Sequence, residues 1–161
     1  MASAMQELMD MKIWMLWRWA TDQKGKPTKK PFAAGGGPTG TDDKWSHTWV
    51  TYNEAVKAKE HNSVAAGVGF NIPKGYYFID IDHKELSDPL VQTILARHDS
   101  YAEYSVSGKG IHQYGKCDFT QIPTYIDKDG KIKIDRQFYM KNPYNDLELY
   151  IGGITNRFAA Y

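Results

Sequence analysis

The chain has 161 residues and a formal net charge of +1, and 42% of its residues are hydrophobic and 14% aromatic. This composition excludes a disordered chain and predicts one folded domain with a substantial core. The single cysteine, Cys117, excludes internal disulfides and cysteine-rich zinc sites. No apolar run is long enough to span a bilayer, and residues 1–11 lack the basic segment of a secretory signal. We therefore expect a cytoplasmic protein with no membrane partner, whereas the net charge neither indicates nor excludes nucleic acid.

The first half of the sequence predicts three strands and one helix. The strands are expected at residues 13–19, 64–71 and 76–83, the helix at 51–60, and a further extended segment at 29–32. Residues 21–30 contain a glycine and a proline, which predict a hairpin-like loop. The helix begins at Thr51, because Glu54 three residues later completes the pattern of a capping box. The turn at residues 73–75 is so short that we expect the strands on either side of it to form an antiparallel pair.

The second half predicts one further helix and several short strands. Asp88 and Pro89 are favoured at the N-cap and the first helical position, so a helix is predicted from there to His98. Strands are expected at residues 101–105, 111–115 and 146–151, with an extended segment at 157–161. Asp129 and Gly130 indicate a hairpin turn within residues 120–134. The predicted fold class is therefore α/β, in the broad sense that includes α+β, in a single domain.

Two carboxylates interrupt the apolar, aromatic strand at residues 76–83. Asp80 and Asp82 are two residues apart, so their side chains share one face of the strand, and Ile79 and Ile81 occupy the other. Burying an unpaired carboxylate is costly, which favours a site where the pair meets cations. Hard oxygen ligands held side by side suit Mg²⁺ or Mn²⁺, with substrate phosphates completing the shell. The alternative is an edge strand with a solvated face and two ordinary surface acids.

A loop at residues 107–112 combines small and basic residues. Gly108 and Gly110 permit close approach of the backbone to a ligand, and successive amide groups in such a turn bind anions. Ser107 adds a hydroxyl, Lys109 a cation and His112 a hydrogen-bond donor, and all three suit a phosphate. The glycine spacing does not match a Walker A loop. A plain glycine hairpin followed by a structural histidine is the alternative interpretation.

A third acid lies in the strand predicted at residues 146–151. Glu148 stands between two leucines, so it shares a face with Asp146 and Tyr150. A half-exposed strand would also explain this pattern. Three strand-borne acids and a phosphate-binding loop are the set required for two-metal phosphoryl transfer, in which two cations neutralise a triphosphate and align the attacking and leaving oxygens.

Three motifs, taken in this order, resemble those of one protein family. They are the acid strand Phe78–Asp82, the loop Ser107–His112, and the strand Leu147–Tyr150 followed by Asn156–Phe158. Together they resemble the prim-pol catalytic domain of the archaeo-eukaryotic primase superfamily. The closest type is the bifunctional DNA primase/polymerase of phages, plasmids and other mobile elements. The opening tryptophan strand also resembles the N-terminal segment of the family, so the resemblance covers nearly the whole chain.

The resemblance implies both a fold and a site. The fold is an N-terminal α/β lobe packed on an RRM-like lobe, with mixed, largely antiparallel sheets and the active site in the cleft between the lobes. The implied catalytic residues are Asp80, Asp82 and Glu148, which would also bind two Mg²⁺ or Mn²⁺ ions. The expected nucleotide-binding residues are Ser107, Gly108, Lys109, Gly110, His112 and Arg157. Family members usually continue beyond the Arg-Phe segment, so we expect residues 1–161 to be one prim-pol domain at the N-terminal end of a longer replication protein.

The implied activity is template-directed nucleotidyl transfer, as in a DNA primase/polymerase that uses NTPs or dNTPs. Its partners would be a single-stranded DNA template and a helicase domain or protein, in a bacterial or phage-infected cell. The alternative is a non-catalytic module for single-stranded nucleic acid, with Trp17, Trp19, Tyr104 and Tyr114 as stacking platforms. A replication-initiator nickase requires a His-x-His pair, which the sequence lacks. A small metal-dependent nuclease stays open, although residues 107–110 favour a triphosphate over a diester.

Overall fold

Helices and mostly short antiparallel strands make up the protein, in a computed structural model that describes residues 3–135, 141–142 and 146–161. The helices are α1 Ala4–Asp10, α2 Tyr52–Glu60 and α3 Pro89–His98, and two short 3-10 turns occupy Asp43–Thr48 and Phe119–Gln121. The strands are β1 Trp14–Thr21, β2 Pro27–Phe32, β3 Gly67–Asn71, β4 Tyr76–Asp82, β5 Ala102–Tyr104, β6 Gly110–Lys116, β7 Thr124–Ile126, β8 Ile132–Ile134, β9 Lys141–Asn142, β10 Leu147–Ile151 and β11 Phe158–Ala160. The predicted mixed α+β class is confirmed.

The chain divides into two units, each with a sheet of its own. Unit 1 contains Ile72–Asn156 and the first residues of the chain, and unit 2 contains Gln6–Asn71 and Arg157–Tyr161. The strand order is β5-β6-β4-β10-β9 in unit 1 and β11-β3-β1-β2 in unit 2. The hairpin β7-β8 forms a further two-stranded sheet in unit 1.

The sheet of unit 2 is built around the tryptophans of β1. Trp14 is fully buried, and its indole N–H donates to the Leu8 carbonyl at 2.7 Å. Its ring also packs edge-on against Tyr52 of α2, with 4.8 Å between ring centroids. Gly67 of β3 lies opposite Trp17, and a Cβ on this glycine would lie 2.6 Å from the indole nitrogen. The close approach of β3 to β1 therefore requires a residue without a side chain.

In unit 1, β4 separates two faces of different chemistry. Ile79 and Ile81 are buried in an aliphatic cluster with Val91 of α3 and Ile111 of β6. The helix that supplies Val91 begins at Asp88, whose carboxylate accepts an amide hydrogen bond from the first turn at 2.8 Å. Burial of these aliphatic side chains covers one face of the sheet and leaves the acids of β4 on the other.

Several predictions about single elements are confirmed. Thr51 is the N-cap of α2 in a complete capping box, and Asp88 is the N-cap of α3, which has a proline in its first turn. β1 and β2 form a hairpin, and β2 includes the extended segment expected at residues 29–32 and begins at Pro27, within the segment expected to be a loop. The hairpin signal at Gly130 is confirmed, because β7 and β8 pair around a turn in which this glycine has a φ of 75°. Helix α1 was not anticipated from the sequence.

One predicted pairing is wrong. The strands on either side of residues 73–75, β3 and β4, belong to different sheets and do not pair with each other. Both edges of β3 are hydrogen-bonded to β1 and β11, and both edges of β4 are hydrogen-bonded to β6 and β10. A short turn permits a hairpin, but these longer-range pairings occupy the backbone groups that a hairpin would need.

Candidate nucleotidyl-transfer site

Four ionisable side chains form a row across the centre of the unit 1 sheet. The strand register places Glu103 of β5 opposite His112 of β6, His112 opposite Asp80 of β4, and Asp80 opposite Glu148 of β10. Directly opposite residues of antiparallel strands share a face, with Cβ atoms about 4.5–5.5 Å apart. Two acids that are distant in sequence therefore lie side by side, with a histidine on the other flank of Asp80. We call these four residues the polar row.

His112 lies between the carboxylates of Asp80 and Glu103 and is more buried than either of them. Its Nε2 is 3.5 Å from Oδ1 of Asp80, and its Nδ1 is 3.7 Å from Oε1 of Glu103. The side chain of His112 is only 6% exposed, against 17% for Asp80 and 19% for Glu103. The ring of Phe78 packs edge-on against the imidazole, with 4.9 Å between centroids. Because little water reaches these groups, their electrostatic interactions are stronger than those of surface pairs.

A row of aromatic rings lies beside the polar row on the same face of the sheet. Phe78 stacks on Tyr114 and on Tyr150, with centroid distances of 4.9 and 5.9 Å. The tyrosine hydroxyls reach the acids: Tyr150 donates to Glu148, and Tyr114 donates to Oε1 of Glu103 at 3.2 Å. Burial and the nearby Glu103 carboxylate raise the pKa of Tyr114 well above its usual value, so this hydroxyl keeps its proton.

Asp82 continues the acid face of β4 towards the exposed end of the strand. It lies two residues after Asp80, opposite Gly110, and its side chain is exposed. Its amide donates to the carbonyl of Asp146 at 2.8 Å, which extends the pairing of β4 towards the segment before β10. The second aspartate thus shares the face of the polar row and lies nearer to the loop between β5 and β6.

The loop between β5 and β6 is a tight turn closed by its own hydrogen bonds. The amide of Gly108 donates to the carbonyl of Ser105 at 2.7 Å, and the amide of Lys109 donates to the hydroxyl of Ser107 at 3.3 Å. Gly108 has a φ of 70°, and a Cβ on Gly110 would lie 2.4 Å from a backbone carbonyl oxygen of β4. The hairpin itself therefore requires both glycines. This agrees with the alternative interpretation of the motif, and the ligand contacts of residues 107–110 stay predictions.

An open pocket of about 800 Å³ lies beside this turn and was not anticipated from the sequence. Its lining includes Lys84, Ser87, Gln92, Tyr104 and Lys109. Two cationic side chains with neighbouring hydrogen-bonding groups suit an anionic ligand, although Lys84 already pairs with Asp88 at 3.4 Å. The sequence signal for such a pocket was the polar segment directly after β4.

The other basic residues singled out in the sequence lie in unit 2. Arg157 immediately precedes β11, and Lys29 and Lys30 lie on β2, at the edge of its sheet. The Nζ atom of Lys29 is 5.7 and 5.9 Å from the ring centroids of Trp17 and Trp19. Trp17 is buried, which excludes it as a stacking platform, whereas Trp19 is 57% exposed. Tyr114, also predicted as a platform, is fully buried, and Tyr104 is exposed.

The donors of the polar row match the chemistry of a divalent cation site in part. Asp80 and Glu148 present carboxylates on adjacent strands, and Mg²⁺ and Mn²⁺ prefer such oxygen ligands. In the present arrangement Glu148 accepts a hydrogen bond from Tyr150, and Asp80 faces His112. Within residues 3–135, 141–142 and 146–161, no group of three or more His, Cys, Asp or Glu side chains is arranged to hold a metal ion. The donor types fit the cation, and the two-metal site stays a prediction.

The sequence pointed to three members of the polar row and missed the fourth. A single acid in a short strand, such as Glu103, is common on protein surfaces and does not by itself indicate a functional site. Its signal was the alternation of Tyr101, Glu103 and Ser105 in a strand directly before the predicted phosphate loop. The contact of the Tyr114 hydroxyl with Glu103 could not be inferred without the order of β5 and β6 in the sheet.

Comparison with models of known protein families and with curated proteins finds no match to this chain. The resemblance to prim-pol domains therefore depends on the motif residues themselves. None of the helices in the described part of the chain is long and apolar enough to cross a membrane.

Proposed function

We propose that the protein is a template-directed nucleotidyltransferase, a DNA primase/polymerase that joins NTPs or dNTPs along a single-stranded DNA template. The observation that carries this proposal is the placement of Asp80 directly opposite Glu148, with His112 on the other flank of the aspartate. Adjacent carboxylates in the centre of a sheet oppose folding, because like charges directly opposite each other repel. A function that requires them explains their presence.

In this proposal a primer 3′-hydroxyl attacks the α-phosphate of the incoming nucleotide and loses its proton to solvent. A new P–O bond forms as the bond from the α-phosphorus to the bridging oxygen breaks, and pyrophosphate leaves. Asp80, Asp82 and Glu148 would hold Mg²⁺ or Mn²⁺, whose charge neutralises the triphosphate when bound. His112, 3.5 Å from Asp80, would donate a hydrogen bond to a phosphate oxygen. Ser107 and Lys109 are the further triphosphate contacts from the loop, while Arg157 is expected to hold the triphosphate or the template.

The same proposal sets the cellular context. The protein would act in the cytoplasm of a bacterial or phage-infected cell, where nucleotides and single-stranded template are present. A helicase domain or protein would supply the template strand. The prim-pol family remains the proposed relationship, with residues 1–161 as the catalytic domain.

The experiment that tests the proposal is nucleotide incorporation on a single-stranded DNA template. The protein is incubated with labelled NTPs or dNTPs and Mg²⁺ or Mn²⁺, with and without a primer. Asp80→Asn and Glu148→Gln are each expected to reduce incorporation by more than about 100-fold, because each removes a carboxylate that would hold the cations against the triphosphate. The exposed acids Glu60 and Asp129 provide matched controls, and Glu60→Gln and Asp129→Asn should leave the rate unchanged.

Incorporation that persists in Asp80→Asn, or that is absent from the unaltered protein under every metal and nucleotide, would reject the proposal. Circular dichroism and a thermal unfolding curve for each variant separate loss of chemistry from loss of folding. Omitting the primer distinguishes initiation of a new strand from extension of an existing one.

A specific observation also favours a second candidate function, metal-independent binding of single-stranded nucleic acid. Trp19 is largely exposed on the β1–β2 hairpin, and Lys29 lies opposite it in register. An exposed indole beside a cation suits stacking of a base with its phosphate nearby. Binding of a single strand in EDTA that depends on Trp19, with no incorporation under any condition, would support this function over the enzyme.

A further inference from the structure

Two cationic side chains face each other on the β1–β2 hairpin of unit 2. Arg18 of β1 lies directly opposite Lys30 of β2, so both side chains are on the same face of the sheet. Like charges at directly opposite positions repel each other. Lys30 alone would be an ordinary charge on an edge strand, but β1 has a neighbouring strand on each side. The pair therefore concentrates positive charge at one place on this sheet.

Arg18 and Lys30 lack acidic partners in the described part of the chain, since neither forms an ion pair there. Both side chains are exposed, and both line a cavity of about 340 Å³ that lies entirely in unit 2. The described residues that line this cavity include no aspartate or glutamate. A cleft lined by charges of one sign attracts ligands of the other sign, so this cavity suits an anion.

The cavity also has an apolar part, which Pro31, Phe32 and Val64 form. Its volume lies within the range of sites for small organic ligands, about 300–1,000 Å³. Inorganic phosphate would contact the two cations and leave the apolar part uncovered. A phosphate joined to a sugar and a base would use both parts, so the lining favours a nucleotide unit over the bare anion.

The fold does not require one of the glycines in the lining, Gly37. The φ of its neighbour Gly36 is 91°, which favours glycine, whereas the φ of Gly37 is outside the left-handed region. A Cβ on Gly37 would meet no atom within 4 Å. Its carbonyl accepts the amide of Ala33 at 2.9 Å, and a residue of any type could make that hydrogen bond. The absence of a side chain at Gly37 keeps the cavity open and allows the backbone to approach a ligand closely.

We propose that Arg18 and Lys30 form a phosphate-binding site that holds the backbone of a single-stranded nucleic acid. The planar guanidinium can donate two hydrogen bonds to one phosphate, and the lysine adds a point charge. A strand is favoured over a free nucleotide because the other face of the same hairpin presents the exposed Trp19 beside Lys29. The choice of nucleic acid rests on the function proposed above, in which the strand is the template. The anion site itself rests on the charges and the cavity.

The salt dependence of binding tests the site. A fluorescent oligothymidine of about ten nucleotides, a length typical of single-strand sites, is titrated with the protein in EDTA at several concentrations of NaCl. Each phosphate contact contributes about 0.7 to the slope of log K against log salt for a single strand. Arg18→Gln and Lys30→Gln should each weaken binding and make the slope shallower by about 0.7, and the double variant by about 1.4.

Lys59→Gln is the matched control, because it removes the same charge from an exposed position of unit 2, on α2. It should keep the slope of the unaltered protein, and thermal unfolding verifies that each variant folds. Slopes for Arg18→Gln and Lys30→Gln that equal the slope for Lys59→Gln would overturn the proposal. Failure of the unaltered protein to bind the oligonucleotide would overturn it as well.

Two further ligands identify the source of the phosphate. Inorganic phosphate and a deoxynucleoside triphosphate are each titrated at the same ionic strength as the oligonucleotide, and both should bind more weakly than the strand. If either binds more tightly than the strand and loses that affinity in Arg18→Gln, the site takes a free anion and its assignment to a strand is wrong.

Binding in EDTA requires neither a divalent cation nor chemistry, so the two proposals can fail separately. If the unaltered protein incorporates no nucleotide, the proposed function fails, and the slopes still decide whether Arg18 and Lys30 hold a strand. If incorporation is normal and the slopes do not change, only the phosphate-binding site is rejected.

Discussion

The two larger sheets differ in what their central strands carry. In unit 1, β4 places Asp80 between His112 and Glu148, so charged groups face one another in the middle of the sheet. In unit 2, the first half of β1 is apolar, and the one charged residue of this strand, Arg18, lies opposite Lys30 of the edge strand β2. Charges on edge strands are ordinary, since they deter pairing with other chains. Facing acids in the middle of a sheet have no such structural explanation, and for this reason we propose that the nucleotidyl-transfer site lies in unit 1.

The largest expected effect tests whether the centre of the unit 2 sheet is purely structural. Trp14→Ala should lower the free energy of unfolding by about 3–5 kcal/mol, because it leaves a large cavity in the core. The indole also donates a buried hydrogen bond to Leu8, which the alanine cannot make. Urea unfolding followed by circular dichroism measures the loss.

The matched control for that variant lies on the same strand. Trp19→Ala should change stability by no more than about 0.5 kcal/mol, as for most exposed positions, because its side chain is 57% exposed. Equal losses for the two tryptophans would mean that the exposed end of β1 supports the fold as much as its centre does.

The next effect compares a glycine of each unit. Gly110→Ala should destabilise the protein by about 1–3 kcal/mol, the range for overpacking, because the new Cβ would lie 2.4 Å from the Ile81 carbonyl oxygen. Gly35→Ala is the control in unit 2, where nothing lies within 4 Å of the added carbon. Thermal unfolding of both variants gives the comparison. A neutral Gly110→Ala would show that β6 does not approach β4 as closely as the register requires.

The facing acids Asp80 and Glu148 of unit 1 should destabilise the fold, in contrast to the residues in the two preceding comparisons. In a double-mutant cycle of Asp80→Asn and Glu148→Gln without divalent metal, we expect a repulsive coupling of about 0.2–1 kcal/mol, typical of directly opposite pairs. Adding Mg²⁺ or Mn²⁺ should reduce this repulsion if the two carboxylates share a cation. The measurement is the free energy of unfolding of the four proteins, with and without metal. An attractive coupling would assign the pair to the fold, and one that metal leaves unchanged would count against a shared cation.

These contrasts show which parts of the site were predictable from the sequence. Alternation along one strand predicts that Asp80 and Asp82 share a face and that Ile79 and Ile81 enter the core, since only local geometry is involved. The direct pairing of residues 80 and 148 depends on long-range strand order, which no local pattern specifies. The same limit produced the wrong pairing of β3 with β4.

Glu103 shows the same limit in a residue that the sequence did not indicate. Its importance comes from hydrogen bonds to Tyr101 and Tyr114 and from its place opposite His112. The contact with Tyr114 and the place opposite His112 depend on which strand lies beside β6, whereas Tyr101 is only two residues away in the sequence. An isolated acid in a three-residue strand carries none of that information in the sequence.

The smallest expected effect concerns an acid of unit 1 that does support folding. Asp88 caps α3, and the amide of Leu90, with a further contribution from Lys84, holds the pKa of its carboxyl below the usual value. A carboxyl whose pKa is lowered in the folded state stabilises it above the unfolded pKa of about 3.9. That contribution is lost as the pH falls through the lower, folded pKa.

Asp88→Asn keeps a capping side chain and removes the charge, so it should flatten the fall in melting temperature below about pH 4. Asp88→Ala should lower the melting temperature at neutral pH as well, because it removes the cap itself. Thermal unfolding of the three proteins between about pH 2 and pH 7 measures both effects. If Asp88→Asn loses stability in acid as steeply as the unaltered protein, other carboxylates control the acid response. The acids of the polar row would then be the first candidates for that control, and the view that they serve function and not folding would be wrong.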